Sequence, residues 1–302
     1  MLERKKYILK WNNDTCKLGE ESIDILAGYW YPIDISTDAS VYYDGEYVKI
    51  TFFESGTFSF RKVIGNTIEA SVYVIAAGGT GAADYTLGGD NTYPGGGGAG
   101  GVSITNLTLS EGLVYNASIG NPITSGWPNP LNGENSYFSE NSSTLITTYG
   151  GGGAWSEIYV WGGLQWTRPL KSSGGSGCGG SYYEEYQSPY INPQINISEP
   201  GDSSSGTPSH FGFPGGPVWK VNPYRPDFLV GGGGGGATGP GINGAGGPGI
   251  SLNLTDEIIE YAQGGNLGTG QPGTRGSGGK KGKEFNGQPG IISIIFKYDD
   301  GY

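Results

Sequence analysis

Side chains that commonly carry out catalysis are scarce in this sequence. The single histidine is His210, and adjacent acids occur at Glu184-Glu185 and Asp299-Asp300. Nucleophilic catalysis requires a nucleophile, its base and an orienting group at defined positions, and no motif around His210 supplies them. A glycosidase requires two carboxylates on either side of the scissile bond, whereas adjacent acids are typical of a solvated loop. The sequence therefore predicts a protein that is not an enzyme.

Patterns for binding metals, phosphates or nucleic acids are also missing. Cys16 and Cys178 are far apart and form neither a metal-ligand spacing nor a disulfide framework. The lysines of 280–283 follow a glycine run but lack the Ser or Thr of a phosphate-binding loop. A net charge of −11 with only 17 Lys and Arg argues against a protein that follows a nucleic-acid backbone. We expect no metal, no cofactor and no nucleic-acid partner.

Glycine dominates the composition. The chain has 302 residues, of which 60 are glycine, about three times the average usage of roughly 7%. Glycine loses the most backbone entropy on folding, so ordered glycine runs require a compensating interaction. Aromatic residues make up 13% of the chain, which is too many for a disordered linker. The composition predicts a folded protein, part of which is built from glycine.

Short strands account for most of the remaining pattern. Val41–Tyr43 and Glu46–Phe53 are predicted to form a hairpin around the turn dipeptide Asp44-Gly45. Leu113–Ile119 is expected to pair with the strand just before it, Val102–Leu109. The chain ends on a strongly β-prone run, Ile291–Tyr298. These segments predict a mainly β fold.

One segment has the signals of a helical turn. In 255–262, Thr255 is a candidate N-cap, and Asp256 and Glu257 follow it in the first turn. We therefore expect almost no α-helix outside this segment.

Strands lead directly into glycine tracts at several places. The clearest tracts are Gly95–Gly101, Gly150–Gly153 and Gly231–Gly236. They lack the sustained triplet repeat of collagen. Extended helices with three residues per turn can instead pack side by side, because backbones without side chains approach closely enough to hydrogen-bond. The alternative is that the tracts are flexible linkers.

The order of strands and tracts carries a family resemblance. The relevant segments are Ser71–Gly79, Gly97–Val102, Asn132–Phe138, Tyr149–Ala154 and Gly290–Ile295. Over roughly residues 55–300 the chain resembles the glycine-rich domain of bacteriophage tail fibres, tail-tip adhesins and other virion proteins. It is also similar to the glycine-rich extracellular domain of anaplastic lymphoma kinase-type receptors. The resemblance implies a jelly-roll-like β-sandwich with inserted, bundled polyglycine II helices and long irregular loops.

We expect two parts in the chain. Residues 1–54 are expected to form an N-terminal β segment that docks to a partner virion protein, and residues 55–302 the glycine-rich domain. An aromatic-rich insertion lies at 155–227. The strands before residue 55 and this insertion depart from the family pattern. Its aromatic and asparagine-rich loops have the chemistry of an antibody-like binding surface. The candidate receptor contacts are Trp155, Trp161, Trp166, Tyr182, Tyr183, Tyr186, Tyr190 and Trp219. The alternative is that these aromatics fill a core of the insertion or a subunit interface.

The expected function is host attachment by a phage particle, through a tail fibre or a receptor-binding adhesin. The alternative is a head fibre, a capsid-decoration protein or another structural virion protein. Expected partners are other virion proteins, a host surface glycan or outer-membrane protein, and further copies of the chain. The sequence has no signal-peptide pattern and no apolar run of 18 residues. We therefore expect synthesis in the host cytoplasm, location in the virion and no membrane insertion.

Overall fold

A computed structural model of the protein describes much of the sandwich and of the glycine tracts. The described residues are 10–12, 15–17, 33–36, 39–44, 47–60, 66–81, 92–93, 95–122, 131–154, 175–178, 182–183, 209–213, 215–216, 219–220, 229–230, 232–242, 244–265, 274–279 and 286–297. The strands within these ranges are β1 (Lys10–Asn12), β2 (Thr15–Lys17), β3 (Ile33–Ile35), β4 (Ser40–Asp44), β5 (Tyr47–Phe52), β6 (Gly56–Phe60), β7 (Thr67–Ile75), β8 (Thr92–Tyr93), β9 (Val102–Ser110), β10 (Tyr115–Ser118), β11 (Ser136–Glu140), β12 (Ser143–Thr148), β13 (Tyr182–Tyr183), β14 (Ser209–Phe211), β15 (Trp219–Lys220), β16 (Leu229–Val230), β17 (Ile250–Leu252), β18 (Ile259–Tyr261) and β19 (Ile291–Lys297). None of the described residues is helical, and no helix there is long and apolar enough to cross a membrane.

Two antiparallel sheets form the sandwich. The six-stranded sheet has the order β14-β9-β7-β19-β5-β4, and the five-stranded sheet has the order β12-β11-β10-β6-β3. The prediction of a mainly β fold is confirmed. The jelly-roll connection order and the polyglycine II geometry of the tracts stay predictions.

The main core lies between the two sheets. On β7, residues alternate between exposed and buried positions, and Ile68, Val72 and their neighbours at the buried positions belong to this core. The five-stranded sheet contributes Phe58, Tyr115 and Phe138, and the Tyr115 and Phe138 rings stack with centroids 5.7 Å apart. Each side chain of this size contributes roughly 1.5–3 kcal/mol when it is fully buried. The alternation of β7 thus fixes which face of the six-stranded sheet meets its partner.

A second core covers the opposite face of the six-stranded sheet. Ile75, Val102 and Ile291 pair side by side where their strands end, and they pack with Leu254 and Tyr261 of the β17–β18 hairpin region. Both faces of the sheet are therefore buried near the point where its strands enter the glycine tracts.

The predicted helical turn at 255–262 is wrong. Residues 254–257 form bends, and Ile259–Tyr261 is strand β18, which pairs with β17. The Thr255 hydroxyl accepts a hydrogen bond from the Glu257 N–H at 3.4 Å, so this side chain closes a turn instead of capping a helix. The reason is the second core: a hairpin places Tyr261 against the sheet, and this burial outweighs the local helix signals.

The hairpin of β4 and β5 is confirmed, with its turn displaced by one residue. Asp44 pairs with Tyr47, so residues 45 and 46 connect the strands instead of the predicted Asp44-Gly45. The displaced turn changes the register by two residues. Every side chain therefore stays on its predicted face.

The predicted pairing of 113–119 with the strand before it is wrong. Strand β10 pairs with β6 and β11 in the five-stranded sheet, whereas β9 belongs to the six-stranded sheet. The chain changes sheets at a turn in which Gly112 adopts a positive φ of 73°. The Ser110 N–H donates a hydrogen bond to the Tyr115 hydroxyl oxygen at 2.6 Å, which ties the end of β9 to the start of β10. Burial is the main cause that raises the pKa of Tyr115 above its usual value, which keeps the hydroxyl protonated.

Residues 33–52 are part of the sandwich. Strand β3 pairs with β6, and β5 pairs with β19 and β4. The core therefore includes side chains from before residue 54, among them Val48, Ile50 and Phe52.

Candidate functional site

The glycine tracts form a second structural unit, here called the glycine bundle. Its described residues are 76–80, 96–101, 131–134, 149–154, 175–177, 211–216 without 214, 232–237, 238–249 without 243, 262–265, 276–279 and 287–290. Strands of the sandwich continue directly into it: β7 into 76–80, β12 into 149–154, and 96–101 into β9. The sandwich therefore holds one end of the bundle.

Residues 96–101 form the central tract of the bundle. Successive N–H groups of this tract donate hydrogen bonds to three different neighbouring tracts. N–H groups three residues apart donate to the same neighbour. The donor and acceptor pairs are Gly96 to Gly232 (3.0 Å), Gly97 to Gly279 (2.9 Å), Gly98 to Gly152 (2.8 Å), Ala99 to Gly235 (3.0 Å), Gly100 to Gly276 (2.7 Å) and Gly101 to Tyr149 (2.9 Å). This repeat is what a chain with three residues per turn produces when neighbours surround it.

The carbonyl groups of the central tract face three further tracts. They accept hydrogen bonds from the N–H groups of Gly265, Gly79, Ser176 and Ala76. The central tract is thus bonded to neighbours on six sides. Backbone pairing here performs the role that side-chain burial performs in an ordinary core, because a buried backbone group without a partner is costly.

Close approach of the backbones explains why these positions are glycine. A Cβ atom at Gly98 would lie less than 3.0 Å from the Ser176 carbonyl oxygen, and one at Gly100 less than 3.0 Å from that of Ala76. Ala99 is the exception in the central tract: its side chain packs into the second core. The sequence of the central tract therefore reflects where a side chain has room.

The far end of the bundle, here called the distal end, is the candidate functional site. Tract 76–80 leaves β7 and the central tract runs back into β9, so Thr80 and Gly96 lie away from the sandwich. Gly232 lies there too because it accepts the Gly96 N–H, and so does Ala154, whose N–H donates to the Thr80 carbonyl at 2.7 Å.

The structure describes the backbone of three of the eight predicted receptor contacts, Tyr182, Tyr183 and Trp219. Tyr182 and Tyr183 form β13, which pairs with Tyr93 and Thr92 of β8, just before the central tract. Trp219 pairs with Val230 in the β15–β16 sheet, just before Gly232.

The hydrogen bond between Gly96 and Gly232 brings these two small sheets to the same end of the bundle. Trp155 is the residue that follows Ala154 in the sequence. The other predicted contacts, Trp155, Trp161, Trp166, Tyr186 and Tyr190, lie outside the described residues.

Two asparagine side chains attach the bundle laterally and were not anticipated. The Asn135 Oδ1 atom accepts the Gly150 N–H at 2.9 Å, and the Asn132 Oδ1 atom accepts the Gly153 N–H at 3.0 Å. The two asparagines are three residues apart, and so are the two glycines that they bind. This spacing matches the three-residue repeat of the bundle. The spacing of Asn132 and Asn135 was the signal in the sequence that could have identified them.

Arg275 joins the bundle to the sandwich. Its Nη1 atom donates to the Phe53 carbonyl at 2.7 Å and to the Gly290 carbonyl at 3.1 Å, and its guanidinium lies 5.0 Å from the centre of the Phe53 ring. Burial is the main cause that lowers the pKa of Arg275 below its usual value. Nothing in the sequence around Arg275 indicated this role.

The described residues show no arrangement of chemically reactive side chains. They contain no group of three or more His, Cys, Asp or Glu that could hold a metal ion. The Cys178 side chain is buried and packs against Ala154. His210 lies on β14, where its backbone pairs with that of Ser103. What the described site offers is an end surface built on hydrogen-bonded backbone.

Comparison with known sequences assigns a family and nothing finer. The family described as a glycine-rich domain matches residues 54–293, a range that includes all eleven bundle tracts and strands β6 to β18. No curated protein matches the chain.

Proposed function

From the premise that the chain belongs to the glycine-rich domain family, we propose that it is a bacteriophage virion protein. In this proposal it is a tail fibre or receptor-binding adhesin that attaches the particle to the host surface. The observation that carries the proposal is the distal end, where the β8–β13 and β15–β16 sheets lead into tracts that are hydrogen-bonded to each other. Both sheets contain residues of the aromatic-rich segment.

A rigid support favours binding by the loops that it carries. Binding residues are often found on loops held by a rigid scaffold, and a preorganised loop loses less conformational entropy when its partner binds. Here the support is the central tract, with hydrogen bonds to neighbours on six sides. We propose that Trp155, Trp161, Trp166, Tyr182, Tyr183, Tyr186, Tyr190 and Trp219 contact a host glycan or outer-membrane protein.

The opposite part of the molecule suits attachment to the particle. We propose that the N-terminal segment, residues 1–54, binds another virion protein, and that the protein acts by binding and without catalysis. Strands within this segment are joined to both sheets of the sandwich. A force on the N-terminal segment would therefore be passed to the bundle through hydrogen-bonded strands.

Localisation on purified particles tests the proposal first. Gold-labelled antibody against residues 155–227 is expected at tail tips or fibres. Gold over the head would contradict the adhesin and would favour the head-fibre or decoration alternative.

Competition with infection tests the binding step. Host cells that are preincubated with the purified protein should adsorb fewer phage. Tyr186→Ala should weaken this competition at least tenfold, because aromatic contacts dominate many interfaces. Tyr47→Ala is the control: Tyr47 is 45% exposed on the sandwich, at the end of β5, and its loss should leave competition unchanged. Equal effects of the two variants would contradict the proposed contact site.

A further inference from the structure

Two tracts form an outer flank of the glycine bundle without charged side chains. Here called the uncharged flank, it consists of the described residues of 211–216 and 238–249, which exclude 214 and 243. The Gly216 N–H donates to the Gly233 carbonyl at 2.7 Å, and a Cβ atom at Gly216 would lie 2.6 Å from the Gly241 carbonyl oxygen. The two tracts are therefore direct neighbours.

The absence of charge is a property of the sequence. No Asp, Glu, Lys or Arg occurs between Asp202 and Lys220, or between Asp227 and Asp256. Elsewhere charged residues are frequent, since the whole chain has 28 acidic and 17 basic residues. A surface of this length without charge is unusual for such a chain. Charged side chains normally keep a protein surface solvated and prevent two protein molecules from associating.

Apolar side chains project from this flank. Ile242 is 59% exposed, and Phe213 is 37% exposed. Ile242 is held in place by a tight turn, in which it exchanges two backbone hydrogen bonds with Ala245, at 2.9 and 2.8 Å. Phe213 is three residues from Gly216, so their Cα atoms lie within roughly 11 Å. Exposed apolar groups that lie close together are typical of an interaction surface, and Phe213 and Ile242 lie on adjacent tracts of this flank.

We propose that the uncharged flank is an interface that binds a second copy of this chain. Two copies that each have a net charge of −11 repel one another least where neither has charged side chains. A two-fold interface must also be complementary to itself. The flank has both kinds of group that such a contact needs: the projecting Ile242 and Phe213, and the small exposed side chains of Pro240 and Ala245.

Mass measurement of the full chain tests the interface. Light scattering after size-exclusion chromatography should give twice the chain mass of 31.6 kDa. Ile242→Lys should raise the dissociation constant of the dimer at least tenfold, because the symmetry brings two like charges into one interface. Ile242 is largely exposed, so the lysine should leave folding intact, which circular dichroism checks.

Ile258→Lys is the matched control. Ile258 is 74% exposed in the turn between β17 and β18, outside the flank, and its replacement should leave the dimer unchanged. A wild-type mass of one chain, or an Ile242→Lys dimer as tight as the wild type, would overturn the proposal. Equal weakening by both variants would overturn it as well. These results are independent of host binding.

Discussion

Replacement of Gly100 by alanine is expected to lower the melting temperature by roughly 6–10 °C, which corresponds to about 3 kcal/mol in a domain of this size. The added Cβ would lie less than 3.0 Å from the Ala76 carbonyl oxygen. Neither backbone can move away freely, since the Gly100 N–H is bonded to the Gly276 carbonyl and the Ala76 N–H to that of Gly101. Differential scanning calorimetry measures the change.

Gly101→Ala is the control for this prediction. The new Cβ at Gly101 would meet its nearest atoms at 3.2–3.3 Å, and one of them belongs to the Thr148 side chain. A side chain can shift by a few tenths of an ångström, so the loss should be less than half of that for Gly100→Ala. Equal melting temperatures for wild type and Gly100→Ala would show that residue 100 has no close backbone neighbour.

Phe138→Ala is expected to lower the free energy of unfolding by about 3–5 kcal/mol, because it leaves a cavity between the two sheets. Phe138 is fully buried, and its ring stacks on Tyr115. Its neighbour Tyr137 is 37% exposed, so Tyr137→Ala should cost under about 1 kcal/mol.

Urea unfolding of both variants provides the comparison. The difference between two adjacent residues tests the register of β11, because a slip by one position would exchange their faces. Equal losses, or a larger loss for Tyr137→Ala, would contradict the described packing of the five-stranded sheet.

The faces of strands could be predicted from the sequence, but not all of their partners. The sequence identified the strands of the first hairpin, the strand Val102–Leu109 and the closing strand, all of which lie in the sandwich. A turn displaced by one residue, as at Asp44, leaves each face unchanged and so is invisible to alternation. The alternation pattern also does not show that the chain changes sheets between β9 and β10, because alternation indicates faces and not pairing partners. Strands that are close in sequence usually pair, and only the fold shows that Tyr115 faces the core from the other sheet.

The candidate site could be located from the sequence in part. The glycine tracts and the aromatic-rich segment were recognisable, since both depend on composition. The neighbours of each tract were not, because glycine has no side chain to specify a partner. Asn132 and Asn135 are exceptions, since their side chains bond across tracts at the three-residue spacing. The role of Arg275 depends on Phe53 and Gly290, which are distant from each other in sequence.

Amide hydrogen exchange followed by NMR tests most directly the claim that the glycine bundle is a rigid support. The amides of residues 96–101 should exchange as slowly as those of β7, because their hydrogen bonds would open only when the domain unfolds. Exchange of residues 96–101 at the rate of an unstructured peptide, with β7 still protected, would contradict the claim. The tracts would then be flexible linkers, and the proposed adhesin would lose its support.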